Sequence, residues 1–274
     1  MNRIPVILLL AFLLQFCASV KNLSLDTDKE VLQDKVRVVT QHEYDAEKPS
    51  GKTIFTIQHT IMQFARKNLK TDENRFDADT NLSAIWLYSY DKKNRLLEEK
   101  WLNPDSTIAY RTLYSYDKAG LLVQEKNFSS GNVFEGSFLF TYDTQGRMRS
   151  RTAFDSDSIL LNKSVFYYTP GRVDEAVYSA KGEFQSLTGY AFTENGKISL
   201  MAEYEDDGEP IDSTGYVYEK SGNVKEMSYT SVADSVRDSY HYKYEYDSKG
   251  NWTMKLELKN DIPSKIILRE YAYD

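Results

Sequence analysis

Few residues in this chain of 274 are of types and spacings that do chemistry. The three histidines, His42, His59 and His241, share no ligand spacing, and the single cysteine, Cys17, leaves no second thiol for a zinc site or a disulfide. Each histidine therefore reads as an ordinary strand residue. Gly51-Lys52-Thr53 has the ending of a phosphate-binding loop, yet Ala46 stands where its first glycine belongs, and a strand pattern follows where a helix is needed. Glu203, Glu205, Asp206, Asp207 and Glu209 crowd one turn and could offer oxygens to calcium. Their spacing does not match a calcium loop, and Asp207-Gly208 is a hairpin signal, so a solvated acidic turn is expected there and, by the same reasoning, at Asp155-Ser-Asp157-Ser158. The 41 acidic residues can be paired in too many ways for composition to nominate a glycosidase pair. Trp86, Trp101 and Trp252 could stack on sugar rings. Trp252 reads as core, and Trp101, alternating with Leu97 and Glu99 on the polar side of its strand, is the better candidate for an exposed platform. No catalytic residue, metal ligand or cofactor is expected, and the chain reads as a non-enzyme.

What the chain does have is a repeat, which must position whatever function exists. Aromatic anchors at Tyr90, Tyr116, Tyr142, Tyr167, Phe192, Tyr218, Tyr246 and Tyr273 recur every 25 to 28 residues. Two residues before them stand Tyr88, Tyr114, Phe140, Val165, Tyr190, Tyr216, Tyr244 and Tyr271, a period of two that marks the end of a strand. Four residues after the first seven come Asn94, Gly120, Gly146, Gly171, Gly196, Gly222 and Gly250, often with Asp directly after the anchor. This is the chemistry of a three-residue hairpin loop, a type I turn closed by a left-handed residue. The turn sets a register in which Leu96, Leu122, Met148, Val173, Ile198, Val224 and Trp252 face the anchors, and all are apolar. A second turn signal follows about thirteen residues on, as in Asn103-Pro-Asp-Ser and Ser129-Ser-Gly-Asn, so each repeat is one hairpin.

The phrase Phe140-Thr-Tyr142-Asp143-Thr-Gln-Gly146-Arg147-Met148 resembles the YD repeat of Rhs and wall-associated proteins, and the likeness extends over residues 86–274. It implies a curling β-sheet shell in a bacterial surface or secreted protein, with no catalytic residues attached to the motif. The period is longer than the roughly twenty residues usual for that family. A weaker resemblance is to MORN-type repeats, which share tyrosines and Asn-Gly turns.

At the other end, Arg3, the apolar run Ile4 to Phe16 and the small residues after it form a signal peptide, too short to span a bilayer comfortably. Leu13-Leu-Gln-Phe16-Cys17-Ala-Ser resembles a bacterial lipobox, which implies cleavage after residue 16 and lipid attachment at Cys17, although Phe16 replaces the usual small residue. The alternative is ordinary cleavage after Ser19. The expected organisation is therefore a signal peptide over 1–19, ending at 16 if lipidated, and a tether over 20–34. Capping strands and a loop then occupy 35–81, with the repeats over 82–274. Within 35–81, Lys35 to Tyr44 and Lys52 to Gln63 read as strands and Arg66 to Thr80 as a long charged loop.

The expected fold class is all-β: an antiparallel meander of about seventeen strands built from ~26-residue hairpins and curled into a barrel-like or shell-like sheet, because an open sheet seldom exceeds ~10 strands. The face bearing Trp86, Tyr88, Tyr90, Tyr110, Tyr114, Tyr116, Phe134, Phe138, Phe140, Tyr142, Tyr240, Tyr242, Tyr244 and Tyr246 should roll inward. Charges in mid-strand, Glu98 and Lys100 on one face with Glu99 on the other, and Arg149 with Arg151, argue against a membrane-spanning barrel. The net charge of -7 argues against nucleic acid and against electrostatic docking on anionic lipid, leaving a lipid anchor as the one expected membrane contact. The expected role is that of an exported, lipid-anchored envelope scaffold with an unidentified envelope or extracellular partner and a capacity for self-association. The alternatives are a periplasmic or secreted location and a binding module for a glycan or an apolar ligand.

Overall fold

The computed structural model describes residues 32–46, 55–206 and 208–274. Cys17, the leader and Gly51-Lys52-Thr53 lie outside them. Eighteen strands follow in order: β1 Val36–Asp45, β2 Phe55–Ala65, β3 Leu69–Phe76, β4 Leu82–Tyr90, β5 Leu96–Leu102, β6 Ile108–Tyr116, β7 Leu122–Ser129, β8 Val133–Tyr142, β9 Met148–Asp155, β10 Leu160–Thr169, β11 Arg172–Ser179, β12 Phe184–Phe192, β13 Ile198–Tyr204, β14 Pro210–Tyr218, β15 Val224–Ser231, β16 Val236–Tyr246, β17 Trp252–Lys259 and β18 Ile262–Tyr273. Every strand is antiparallel to its sequence neighbours, and β1 pairs with both β2 and β18, so the meander closes into a barrel. Closure leaves no open edge for another chain to extend.

The repeated turn is built as its residues dictate. In the first copy Asp91 N–H donates to the Arg95 carbonyl at 2.9 Å, Asn94 takes φ 63°, and Asp91 Oδ1 accepts from Lys93 N and Arg95 N. The anchors meet their forecast partners in Tyr90↔Leu96, Tyr116↔Leu122, Tyr142↔Met148, Phe192↔Ile198, Tyr218↔Val224 and Tyr246↔Trp252. The same turn also joins hairpins at the opposite end of the barrel, where Thr80, Ser106 and Ser158 hold the positive φ that glycine holds elsewhere.

Several expectations need correction. The stretch Arg66 to Thr80 contains β3, a strand on one face of which Lys70 and Arg75 both donate to Glu73. In the fourth copy Thr169 pairs with Arg172 around Pro170-Gly171, a turn one residue shorter, so Tyr168 and not Tyr167 is the anchor and faces Val173; Tyr167 points out, 50% exposed. Phe134 pairs with Phe128 beyond a bulge and leaves the anchor face. Arg149 is the extra residue of a bulge between Met148 and Ser150, so it does not share a face with Arg151.

Five of the anchors also reach the hairpin before them. Tyr116 Oη donates to the Leu96 carbonyl, Tyr142 to Leu122, and Tyr218 to Ile198, each at 2.7 Å and each twenty residues back. Tyr90, Tyr168 and Tyr244 make the equivalent bond to Lys70, Met148 and Val224. In the last two copies the stitch is made by Tyr244 and Tyr271, while Tyr246 and Tyr273 sit one step lower, over the turns. The hydroxyl that a buried tyrosine must satisfy is thus used to tie repeat to repeat. Apolar clustering is local: Val36, Val39 and Met62 pack with Leu32, Phe64, Tyr271 and Tyr273 where β1 closes the barrel.

Candidate functional site

The anchor face is the inner wall, and halfway along it runs a row of ionisable groups. Each sits opposite the aromatic two residues before an anchor: Glu99 opposite Tyr88, Glu125 opposite Tyr114, Arg151 opposite Phe140 and Glu175 opposite Phe166. Glu73 on β3 faces Trp86. The four carboxylates are all buried, with 5 to 8% of each residue exposed.

They are not equally served. Burial alone would raise the Glu73 carboxyl, but Lys70 and Arg75, each 2.7 Å away, bring it below the ordinary carboxylate value. Glu175 is paired with Arg151 at 3.2 Å and accepts a bond from Tyr190 Oη at 3.3 Å. Among the described residues Glu99 accepts only a long bond, from Tyr114 Oη at 3.4 Å, and burial, with repulsion from Glu73 added, pushes it up to about 7 despite Lys70. Glu125 has no hydrogen-bond or ion-pair partner among the described residues; burial pushes it up to about 7, against the pull of Arg151. The phenols beside them, Tyr88 and Tyr114, are raised far above the ordinary tyrosine value by burial and then by the Glu99 charge.

Next to this row is an aromatic platform. Trp86 and Trp101 pair across β4 and β5 with parallel rings 5.7 Å apart, Arg75 caps the other face of Trp86 at 4.1 Å, and Tyr110 is the cross-strand partner of Trp101. Trp101 is 43% and Tyr110 38% exposed. Exposure of Trp101 agrees with the sequence reading, but its side does not: it lies on the anchor face with Trp86 and Glu99, because the bulge at Leu97 reverses the alternation. Trp252 is buried opposite Tyr246, as expected. Glu99 and Glu125 were missed for the same reason. They stand nine residues after Tyr90 and Tyr116, and that spacing is the signal that could have found them.

On the outer face His42 and His59 are cross-strand partners with rings stacked 4.5 Å apart, a proximity their separation in sequence conceals. His59 Nε2 is buried with no partner, and burial, then the charge of His42, lowers its pKa. No group of three or more metal-binding side chains forms among the described residues. Glu205 and Glu209 close a solvated turn through a 2.8 Å backbone bond, and Asp155 caps its own turn through Asp157 N and Ile159 N. A concavity of about 380 Å³ lies between Tyr142, Arg149 and Lys163, away from the carboxylate row.

No protein-family model matches the chain, and no curated protein matches it. Among solved structures it is similar to a porin-like protein from Bacteroides uniformis, at 10% identity and TM-score 0.43 over 89% of this chain and 98% of that one. A porin-like protein from Bacteroides vulgatus aligns at 13% identity and TM-score 0.36 over 69% and 94%. A structure titled TcdB2-TccC3-Cdc42 aligns at 13% identity and TM-score 0.34, over 74% of this chain but 14% of that one. At these identities and scores no conclusion about function rests on the likenesses.

Proposed function

We propose that this chain is an exported, non-catalytic envelope scaffold, a barrel of YD-type repeats tethered to a membrane through a lipid on Cys17. The observation that carries the scaffold reading is where the repeat's own chemistry goes. The anchor hydroxyls bond backbone carbonyls of the preceding hairpin, and Asp91, Asp143 and Asp247 bond backbone N–H groups of their own turns. The motif is thus consumed in building the wall. A barrel that crosses the membrane is disfavoured by the outer face, where Glu98, Lys100 and Arg111 form a salt-bridged cluster midway along β5 and β6. At that height a lysine or arginine costs about 2–4 kcal/mol on a lipid face. The test is the mass of the mature N-terminus from the native membrane fraction. A diacyl or triacyl group on Cys17 is expected; an unmodified start near Val20 overturns the anchor and leaves a periplasmic or secreted protein.

A second reading, a glycan-binding module, has one observation in its favour. The exposed rings of Trp101 and Tyr110 adjoin Glu99, and nearby Glu125 can accept bonds from sugar hydroxyls. Soluble oligosaccharides that raise the melting temperature of the native chain but not of Trp101→Ala support it; no shift with either removes it.

A further inference from the structure

Charge on this barrel is segregated end to end. In an antiparallel meander alternate connections lie at opposite ends, so the turns after the anchor tyrosines form one rim and the connections between repeats form the other. The eight connections of the anchor rim, from 66–68 to 247–251, carry ten basic and six acidic side chains, a net of +4. The eight connections of the opposite rim from Asp77 onward carry, among the described residues, ten acidic and one basic, a net of -9. The overall charge of -7 hides this division.

Within the anchor rim the positive charge is concentrated further. Arg66, Lys67, Lys92, Lys93 and Lys118 lie on three consecutive connections, β2–β3, β4–β5 and β6–β7, about 10 Å apart from one to the next. All five are exposed and none is ion-paired among the described residues; the ion pairs of this rim use Arg95, Arg147 and Lys249. The chain also leaves the barrel here: Asn68 Nδ2 donates to the Leu32 carbonyl at 3.1 Å, and Asn251 Oδ1 accepts from Gln33 N at 2.7 Å. From Leu32 back to Cys17 a fully extended chain spans about 50 Å. The acidic rim is about 30 Å away along the strands, several screening lengths at physiological salt, so its charge does not cancel the field at the basic arc.

We infer that the arc Arg66, Lys67, Lys92, Lys93 and Lys118 is a docking surface for the phosphate headgroups of an anionic bilayer, so that the barrel stands on its anchor rim with its acidic rim turned away. The orientation is consistent with the anchored reading proposed above, while the docking itself does not depend on lipid attachment. Basic side chains close to a membrane each add favourable attraction, and the anchor proposed above would add to it by holding this rim near the surface.

The test uses the chain carrying Cys17→Ser, so that no acyl group contributes, and compares its binding to vesicles of phosphatidylcholine alone with vesicles containing phosphatidylglycerol. Any contribution from the apolar leader acts on both. At least about tenfold stronger binding to the anionic vesicles is expected, decreasing as salt is raised, and most of it lost in Arg66→Gln/Lys67→Gln/Lys92→Gln/Lys93→Gln. The matched control, Asp79→Asn/Asp157→Asn/Asp206→Asn/Asp261→Asn on the acidic rim, should leave the preference unchanged. Equal binding to both vesicles, or a control that strengthens anionic binding as much as the basic variant weakens it, overturns the proposal, the second by showing that net charge and not the arc decides. An anionic soluble polysaccharide that competes at low concentration while the vesicles show no preference would also overturn it, in favour of a cell-wall partner. The mass of the native N-terminus reports on the anchor separately, so failure of one reading is not failure of the other.

Discussion

The hairpins of the barrel share one frame but not one inner wall. In β4–β5, β6–β7 and β10–β11 the residue opposite the aromatic that precedes the anchor is a buried glutamate, Glu99, Glu125 or Glu175, and in β8–β9 it is Arg151. In β12–β13 and β14–β15 the same position, opposite Tyr190 and Tyr216, holds Met201 and Met227. Turn, bulge and anchor bond are alike in the charged β4–β5 and β6–β7 and the neutral β14–β15, so the charge is not what closes the barrel. Methionine fills the position without an electrostatic cost, whereas a buried carboxylate without a partner is destabilising. Glu99 and Glu125 are therefore two places where the wall carries something its construction does not need.

That contrast can be broken most strongly by making the charged hairpins resemble the neutral ones. For Glu99 and Glu125 the folded value near 7 lies above the ordinary carboxylate value. Their contribution to stability is fully present below the unfolded value and is lost as pH rises through 7. Glu99→Met or Glu125→Met should therefore raise the unfolding free energy by about 3 kcal/mol at pH 8, the equivalent of the shift, and by little at pH 4.5. Urea titrations at the two pH values check this. An equal effect at both would mean that packing, not ionisation, decides.

A change of the same type but opposite sign is expected at Glu175. Its charge is matched by Arg151, so Glu175→Met strands a guanidinium that is 23% exposed. A loss of about 2 kcal/mol is expected, below the 3–5 of a fully buried pair because water still reaches the arginine. If Glu175→Met stabilised as Glu125→Met is expected to, the distinction between paired and unpaired carboxylates would fail. Smaller again is Tyr116→Phe, which removes the bond to the Leu96 carbonyl and should cost about 1 kcal/mol in a charged or a neutral hairpin alike. The matching variant Tyr218→Phe, which loses the bond to Ile198, tests that equality directly by thermal melting.

The frame was legible because its signals are local. An aromatic pair, an Asp and a Gly at fixed offsets specify a turn, the turn specifies a register, and the register specifies the apolar partner. What the sequence concealed has particular causes. β3 has few apolar residues because its charges neutralise one another on the wall, so a strand looked like a loop. Thr169-Pro170-Gly171 shortens one turn by a residue, which moved the fourth anchor from Tyr167 to Tyr168. The bulge residues Leu97 and Val123 reverse the alternation, which is why Glu99 and Trp101 read as lying on the other face and why Glu125 drew no notice. The charge asymmetry of the rims needed the topology, since only the alternation of turns separates Lys92 from Asp79. Composition alone pointed away from anionic lipid for that reason.

The smallest test concerns the residue that closes each turn on the anchor rim. In β4–β5 it is Arg95, whose guanidinium stacks over Tyr116 of the next hairpin at 4.5 Å and pairs with Asp91. In β8–β9 Arg147 does the same over Tyr168 at 4.7 Å, and in β12–β13 Lys197 lies over Tyr218 at 4.8 Å. In β14–β15 and β16–β17 the position is Asn223 or Asn251, and the amide instead donates to the hydroxyl of Tyr246 or Tyr273 at 2.9 Å. Two chemistries thus perform one task, holding the next ring against the turn. In β6–β7 the position is Leu121, which has neither a charge nor an amide to offer. Arg95→Leu copies that natural exception and should cost no more than about 1 kcal/mol, the sum of a partly exposed cation–π contact and a partly exposed ion pair, with a smaller effect at high salt. A much larger loss would mean that this side chain also holds the barrel's rim in shape, and that the Leu121 hairpin is compensated elsewhere.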